Sequence, residues 1–248
     1  MTIILYDLVS LAPGKTYSPN TRKARFCLNF KGIPYRTEWV EWPGIKGVYE
    51  KHNIEATSYF PNGSPRYTLP VIHDTSTGST ISDSFAIAEY LDKTFPNTPP
   101  VFPHNTKGLQ ASFDSGDFER ICPMIMLIIP DICHNIMTPT SLPVYQPYVE
   151  IFCNMKMSEF DIKSPASVAK WTKYKASLDE VAKWYGKTNG PFLMGDTISW
   201  ADFVVVSPML MIKTVWGEDS EQWKEVNVCN GGIWGKLIKE LDKYNTIV

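Results

Sequence analysis

Ser18 is a hydroxyl at the place where a helix should begin. In Lys15-Thr16-Tyr17-Ser18-Pro19-Asn20-Thr21-Arg22-Lys23-Ala24-Arg25-Phe26, Ser18 is a favoured N-cap residue. Pro19 falls at the first helical position, where its missing N–H costs nothing. An anion brought there would meet uncovered N–H groups and the positive end of the helix dipole. On this stretch alone a helix cap is the simpler use of Ser18. Two further places carry polar or backbone chemistry. Leu69-Pro70 stands at the entry to a strand, where a missing donor is tolerated and a cis bond is available. Asp83-Ser84 opens another helix.

The elements that must position these residues follow from periodicity. Ile3 to Asp7 is a β-prone run that Pro13-Gly14 ends, and the Ser18 helix stops at Lys31-Gly32-Ile33-Pro34. Its Ala24, Phe26, Cys27, Leu28 and Phe30 are broader than one apolar stripe, so it should be covered on two sides. Tyr35 to Val40 alternates as a strand, Pro43 to Lys51 is weakly helical, and Asn53 to Thr68 reads as a long loop. Two short strands, Leu69 to His73 and Thr80 to Ser82, form a hairpin before the Asp83-Ser84 helix, which Pro96 ends. The order β-α-β-α-β-β-α predicts a mixed four-stranded sheet with helices on both faces. Four prolines between 96 and 105 mark a linker, and beyond it no strand pattern recurs.

The fold expected is therefore α/β plus all-α: residues 1–97 as the sheet-containing domain, 98–104 as linker and 105–248 as an all-helical domain. Helices are expected over Phe113–Ile129 (bent at Pro123 and Pro130), Val144–Phe160, Val168–Tyr185, Trp200–Val215 and Ile233–Tyr244. In Gly195-Asp196-Thr197-Ile198-Ser199-Trp200-Ala201-Asp202-Phe203, Ser199 and Asp202 stand at capping-box spacing. Ile198 and Phe203 occupy the two positions of a hydrophobic staple.

Composition excludes several function classes. The 248 residues carry a formal net charge of −2, which leaves no footprint for nucleic acid or an anionic membrane. Five cysteines, odd in number and irregularly spaced, fit neither a disulfide framework nor a structural zinc site. His52, His73, His104 and His134 lack paired spacing, so no metal is expected. No glycine fingerprint follows the first strand, no secretory leader is visible, and the longest apolar run is too short to span a bilayer. A reducing, cytoplasmic setting is expected.

Together, the element order, the strand-entry proline, the acidic-Ser pair and the capped helix of an all-helical partner resemble the cytosolic glutathione transferases over essentially the whole chain. Ser18 to Arg25 and Ser82-Asp83-Ser84-Phe85-Ala86-Ile87-Ala88-Glu89-Tyr90-Leu91 look like the bacterial β-etherases, and most like the related fungal-specific A class of wood-decay fungi. The resemblance implies a thioredoxin-like first domain, glutathione as cosubstrate, a homodimer and binding of bulky phenolic ligands. It implies that Ser18 hydrogen-bonds the glutathione sulfur, that Leu69 before a cis Pro70 pairs its backbone with the cysteinyl part, and that Asp83 and Ser84 hold the γ-glutamyl end. For the glycyl carboxylate His52, Lys51 and Arg66 all remain open. Tyr6 stands where other transferase classes carry a catalytic tyrosine, although strand packing is its simpler use, and Thr16 and Tyr17 are further hydroxyls beside Ser18.

The chemistry is self-consistent. A free thiol near pKa 8.5 is mostly protonated at neutral pH. A hydrogen bond to a charged group is worth about 1.5–3 kcal/mol, so a bond selective for the thiolate lowers that pKa by roughly one to two units. Serine donates but forms no mixed disulfide, whereas cysteine here would imply thiol-disulfide exchange. Cys27 lies too far along the helix and is expected in the core. The second-substrate pocket should be apolar and lie between the domains, with Tyr17, Trp39 and Phe118 as candidate walls. The expected function is conjugation of glutathione to hydrophobic electrophiles, with ether or thioether chemistry included. The alternative is a non-catalytic, ligandin-type protein that binds aromatic compounds, and a third use is the fold serving only in protein assembly.

Overall fold

Six consecutive buried residues, Ile3–Leu8, make strand β1 the centre of the sheet. The structure, a computed structural model, describes residues 2–160 and 164–248. β1 pairs in parallel with β2 (Tyr35–Val40) and antiparallel with β5 (Val71–Asp74), which in turn pairs with β6 (Thr80–Ser82), giving the order β2-β1-β5-β6. Between them run α1 (Pro19–Phe30), α2 (Ile45–His52) and, after β6, α3 (Ser84–Thr94). The mixed sheet and the thioredoxin-like order are those expected.

The apolar breadth of α1 is accounted for by its neighbours. It packs on β1, on α3 and on α8 (Trp200–Trp216), and the Phe26 and Phe203 rings stack 5.2 Å apart. A buried ion pair fixes α1 to the sheet: Arg25 Nη2 lies 2.6 Å from Asp7 Oδ2, while the Leu8 N–H donates to Asp7 Oδ1 at 2.7 Å. Neither charge could be buried alone, so each is tied to its partner. Cys27 lies in this core, as expected, and burial pushes its thiol well up.

The stretch from Asn53 to Thr68 is more ordered than a loop. It contains a small antiparallel hairpin, β3 (Ser58–Tyr59) and β4 (Pro65–Arg66), with Ser58 opposite Arg66. Two-residue strands carry no readable alternation, which is why proline, serine and glycine dominated the sequence signal.

All remaining elements among the described residues are helical: α4 (Lys107–Ser115), α5 (Asp117–Asp131), α6 (Leu142–Cys153), α7 (Pro165–Tyr185), α8 and α9 (Glu221–Leu241). The single bent helix expected over Phe113–Ile129 is two, divided at Gly116, with Pro123 and Pro130 both inside α5. The helix expected to reach Phe160 stops at Asn154, which takes a left-handed φ of 49°. The helix expected to start at Ile233 begins twelve residues earlier. Residues 229–232 leave helical geometry, with positive φ at Asn230, Gly231 and Gly232, and that break hid its first half.

The start of α8 holds as expected. Asp202 reaches back to the Ser199 N–H at 2.8 Å, and the Ser199 hydroxyl donates to the same carboxylate oxygen at 3.0 Å. The other oxygen accepts from the Tyr185 hydroxyl at 2.8 Å and the Leu193 N–H at 2.9 Å. Among the described residues no helix is long and apolar enough to cross a membrane.

Candidate active site

Ser18 occupies the cap position of α1 with extended backbone (φ −67°, ψ 127°), yet its hydroxyl caps nothing. Its carbonyl takes the first helical bond, from the Arg22 N–H at 3.1 Å, and also accepts from the Thr21 hydroxyl at 3.2 Å. The Ser18 side chain instead lines a cavity of about 420 Å³. Pro19 removes one N–H, and those of Asn20 and Thr21 are among the first four, which have no intrahelical partner. The helix therefore presents an uncapped, donor-rich end beside a hydroxyl that has no partner among the described residues.

The same cavity gathers Leu69, Pro70, Asp83 and Ser84. The Leu69–Pro70 peptide is cis, and the Leu69 backbone makes no hydrogen bond to the other described residues. Asp83 takes a positive φ of 79°, and its Oδ1 accepts from the Phe85 N–H at 2.9 Å and the Ala86 N–H at 3.0 Å. Its second carboxylate oxygen has no partner among the described residues, and Asp83 is exposed while Ser84 is buried.

Of the three basic residues left open by sequence, only Arg66 lines the cavity. Its Nε donates to Ser58 Oγ at 3.0 Å across the β3–β4 hairpin, and its guanidinium lies 5.1 Å from the Phe152 ring centre. His52 is placed elsewhere, at the end of α2. Its Nε2 is 2.8 Å from the Tyr6 hydroxyl and its ring lies 4.5 Å from that of His73. Burial and the neighbouring His73 and Lys51 charges hold His52 below its usual pKa. Lys51 donates to the Tyr6 hydroxyl at 3.1 Å and pairs with Glu38 at 3.6 Å. Tyr6 is thus packed beneath α2 and outside the cavity, and His52 and Lys51 lie there with it, whereas Arg66 lines the cavity.

The apolar wall comes from α5 and α6. Phe118, Ile121, Ile125, Tyr145, Tyr148 and Phe152 line it, with Trp42 and Tyr17 from the other side. The rings form a run: Phe118 edge-on to Phe152 at 5.7 Å, Phe152 stacked on Tyr148 at 6.1 Å, and Trp42 against both Tyr148 and Tyr145 at 4.8 Å. The Trp42 indole N–H donates to the Tyr17 hydroxyl at 3.0 Å, and the Trp42 backbone N–H donates to Ser141 Oγ at 2.9 Å. Tyr17 is fully enclosed, and burial pushes its phenol far above the usual range, so it does not titrate near neutrality. Trp39, expected in this wall, is not part of it. It lies on β2 beside the Lys15 and Arg25 cations, because the edge strand turns it from the cavity.

Sequence gave no role to a polar corner made by Lys23, Asp114 and Asp117. Lys23 Nζ sits 3.3 Å from Asp114 Oδ1, and Asp117 lies 3.9 Å from Arg120. Burial pushes the Asp117 carboxyl up to about 6, against the pull of Lys23 and Arg120. No group of three or more His, Cys, Asp or Glu among the described residues could hold a metal ion.

Comparison with known proteins fits this geometry. Residues 17–94 match the model of the glutathione S-transferase N-terminal domain, and residues 108–244 match that of the C-terminal domain. The chain belongs to the glutathione S-transferase family. A glutathione S-transferase of Ceriporiopsis subvermispora, crystallised in complex with glutathione, is 38% identical with a TM-score of 0.91, covering 99% of this chain and 98% of that one. Glutathione transferase GSTFuA3 of Phanerochaete chrysosporium is 32% identical with a TM-score of 0.92, over 100% and 99% of the two chains. The glutathione S-transferase-like protein ustS of Aspergillus flavus is 29% identical over 96% of this chain and 90% of its own. The resemblance to transferases of wood-decay fungi drawn from Ser18 to Arg25 and Ser82 to Leu91 is thereby borne out.

Proposed function

We propose that this transferase conjugates glutathione to hydrophobic, aromatic electrophiles through a thiolate held by Ser18. The observation that carries the reading is the unspent Ser18 hydroxyl at the open end of α1, in one cavity with Leu69, Asp83 and Ser84. The glutathione bound to the relative from Ceriporiopsis subvermispora supports the cosubstrate. The cysteinyl backbone would pair with the unbonded edge at Leu69, beside cis Pro70, as an added strand. Asp83 and Ser84 would take the γ-glutamyl end and Arg66 the glycyl carboxylate.

The sulfur would then lie at the Ser18 hydroxyl and the first N–H groups of α1. Both stabilise the charged form more than the neutral thiol, so the proton leaves to solvent at a lower pH. The thiolate would attack an electrophilic carbon lying against the ring run from Phe118 to Trp42. Displacement of an aryl ether oxygen from such a carbon is the etherase-like case. Homodimer formation and a cytoplasmic setting belong to the same reading.

Ser18→Ala tests it. Conjugation of 1-chloro-2,4-dinitrobenzene should fall at least tenfold at pH 6.5. The pKa of enzyme-bound glutathione, read from thiolate absorbance, should rise by roughly one to two units. Unchanged thiolate titration would falsify the serine role. A second reading, a ligandin-type binding protein, is favoured by the continuous ring run. It is separated by the same variant, which should retain aromatic ligands in full.

A further inference from the structure

The segment that follows α9 lies against α1 and β2. Irregular backbone ordinarily runs over a surface with its polar groups in water. Here three alternate carbonyls are taken up by side chains. Asn29 Nδ2 donates to the Tyr244 carbonyl at 2.7 Å and the Thr246 carbonyl at 2.8 Å, and the Thr37 hydroxyl donates to the Val248 carbonyl at 2.6 Å. The Phe30 ring meets Tyr244 edge-on at 5.3 Å, and Asn245 Oδ1 accepts from Arg22 Nη1 at 2.8 Å.

Two contacts of this segment fall on either side of Ser18. Arg22 closes the first turn of α1, where its N–H donates to the Ser18 carbonyl at 3.1 Å, and it is only 4% exposed. Its guanidinium is held by Asn245 and, at 3.4 Å, by the Thr214 hydroxyl of α8. Four residues before Ser18, Gly14 takes a φ of 72°, and a Cβ there would come within 2.6 Å of Ile247 Cδ1. Ile247 therefore lies flush on the turn that leads into the helix. A third link runs through the sheet. Arg25, the partner of Asp7, donates to the Tyr35 hydroxyl at 3.3 Å and the Thr37 hydroxyl at 3.0 Å. Those hydroxyls pass their own protons on to the Thr246 carbonyl, at 3.4 Å, and the Val248 carbonyl.

Resting on the reading of a serine-held thiolate above, we propose that Asn245 and Ile247 are positioning residues for the Ser18 hydroxyl. Asn245, acting through Arg22, fixes the turn of helix that follows Ser18, and Ile247 fixes the turn that precedes it. Neither lines the cavity. Their effect is on geometry. A hydroxyl–thiolate bond weakens steeply once its angle leaves the favoured range, and a misplacement of about 1 Å can cost roughly a hundredfold in rate. The strap thus sets how strongly Ser18 favours the thiolate, and leaves the binding of glutathione itself alone.

The test is made on the full chain with the double variant Asn245→Ala, Ile247→Ala, in the wild-type and Ser18→Ala backgrounds. Thiolate absorbance gives the pKa of bound glutathione, and conjugation of 1-chloro-2,4-dinitrobenzene is followed at pH 6.5 and pH 9. With Ser18 present, the double variant should raise that pKa by roughly half a unit to one unit and slow the reaction about three- to tenfold at pH 6.5. At pH 9 the thiol is ionised in either chain, so the rate should return to within about twofold of wild type. Asn245→Asp keeps the acceptor for Arg22, and when made alone it should leave the wild-type values in place. In the Ser18→Ala background the double variant should shift the thiolate pKa no further. An equal shift in both backgrounds, or a loss of rate that persists at pH 9, reduces the segment to a structural tether and overturns the proposal. A lowered Tm with unchanged thiolate pKa does the same. If Ser18→Ala itself leaves the thiolate pKa unchanged, the serine reading falls and this proposal with it. A normal Ser18→Ala shift beside an inert double variant overturns this proposal alone.

Discussion

Asp117 illustrates how one side chain can work against the fold that holds it. It is 9% exposed, its nearest cation is 3.9 Å away, and burial pushes its carboxyl up to about 6. Between about pH 4 and 6 the folded chain keeps a proton that the unfolded chain has released. Stability therefore falls as pH rises through that window, and the loss persists above it. Asp117→Asn should stabilise the fold at pH 7.5 by about 1–2 kcal/mol, raising Tm by roughly 2–8 °C, and the gain should vanish near pH 4. Calorimetric melts at the two pH values check this. At this scale the sequence was legible wherever a residue obeys a backbone rule. Ser18 before Pro19 and Asp83 before Ser84 stand out because helix starts have chemical preferences. Lys23 and Asp117 carry no such mark, since a charged residue is normally solvated and only tertiary packing buries these two. Arg66 could not be separated from His52 and Lys51 for a related reason. A two-residue hairpin decides which of them reaches the cavity.

Elements were read best where they are long, periodic and capped. The Ser199–Asp202 signature located the start of α8, and the structure adds two donors that spacing alone could not supply, from Tyr185 and Leu193. Burial raises the Asp202 carboxyl above its usual value, and those donors draw it back. Asp202→Ala would strand four donors in a dry site, which costs about 3 kcal/mol or more. The expected outcome is a fall in denaturation midpoint with an unchanged m-value, measured by urea titration and circular dichroism. Asp202→Asn should recover only part of it, because an amide oxygen cannot serve four donors. The elements that were misread share a local break in geometry. Gly116 divides α4 from α5, Asn154 stops α6 early, and three positive-φ residues interrupt α9. In each, a hydrophobic pattern runs on while the backbone changes direction, and pattern alone does not register that.

Across the whole molecule, the cavity belongs to neither half. Its floor comes from β1, α1 and the turn at Leu69, and its wall from α5 and α6. The sheet-bearing and helical halves are joined around it by short polar links, including the Leu11 N–H to the Ile136 carbonyl at 2.9 Å and Trp42 to Ser141 at 2.9 Å. That last link gives the chain a built-in optical probe. Of its eight tryptophans, Trp42 alone contributes to the cavity lining, with its indole ring at 4.8 Å from two tyrosines that would flank any planar guest. An aromatic ligand entering there should quench intrinsic emission in proportion to occupancy. Trp42→Phe should silence most of that response while the other seven indoles go on reporting the folded state, so filling of the site and integrity of the fold become separately readable from one spectrum.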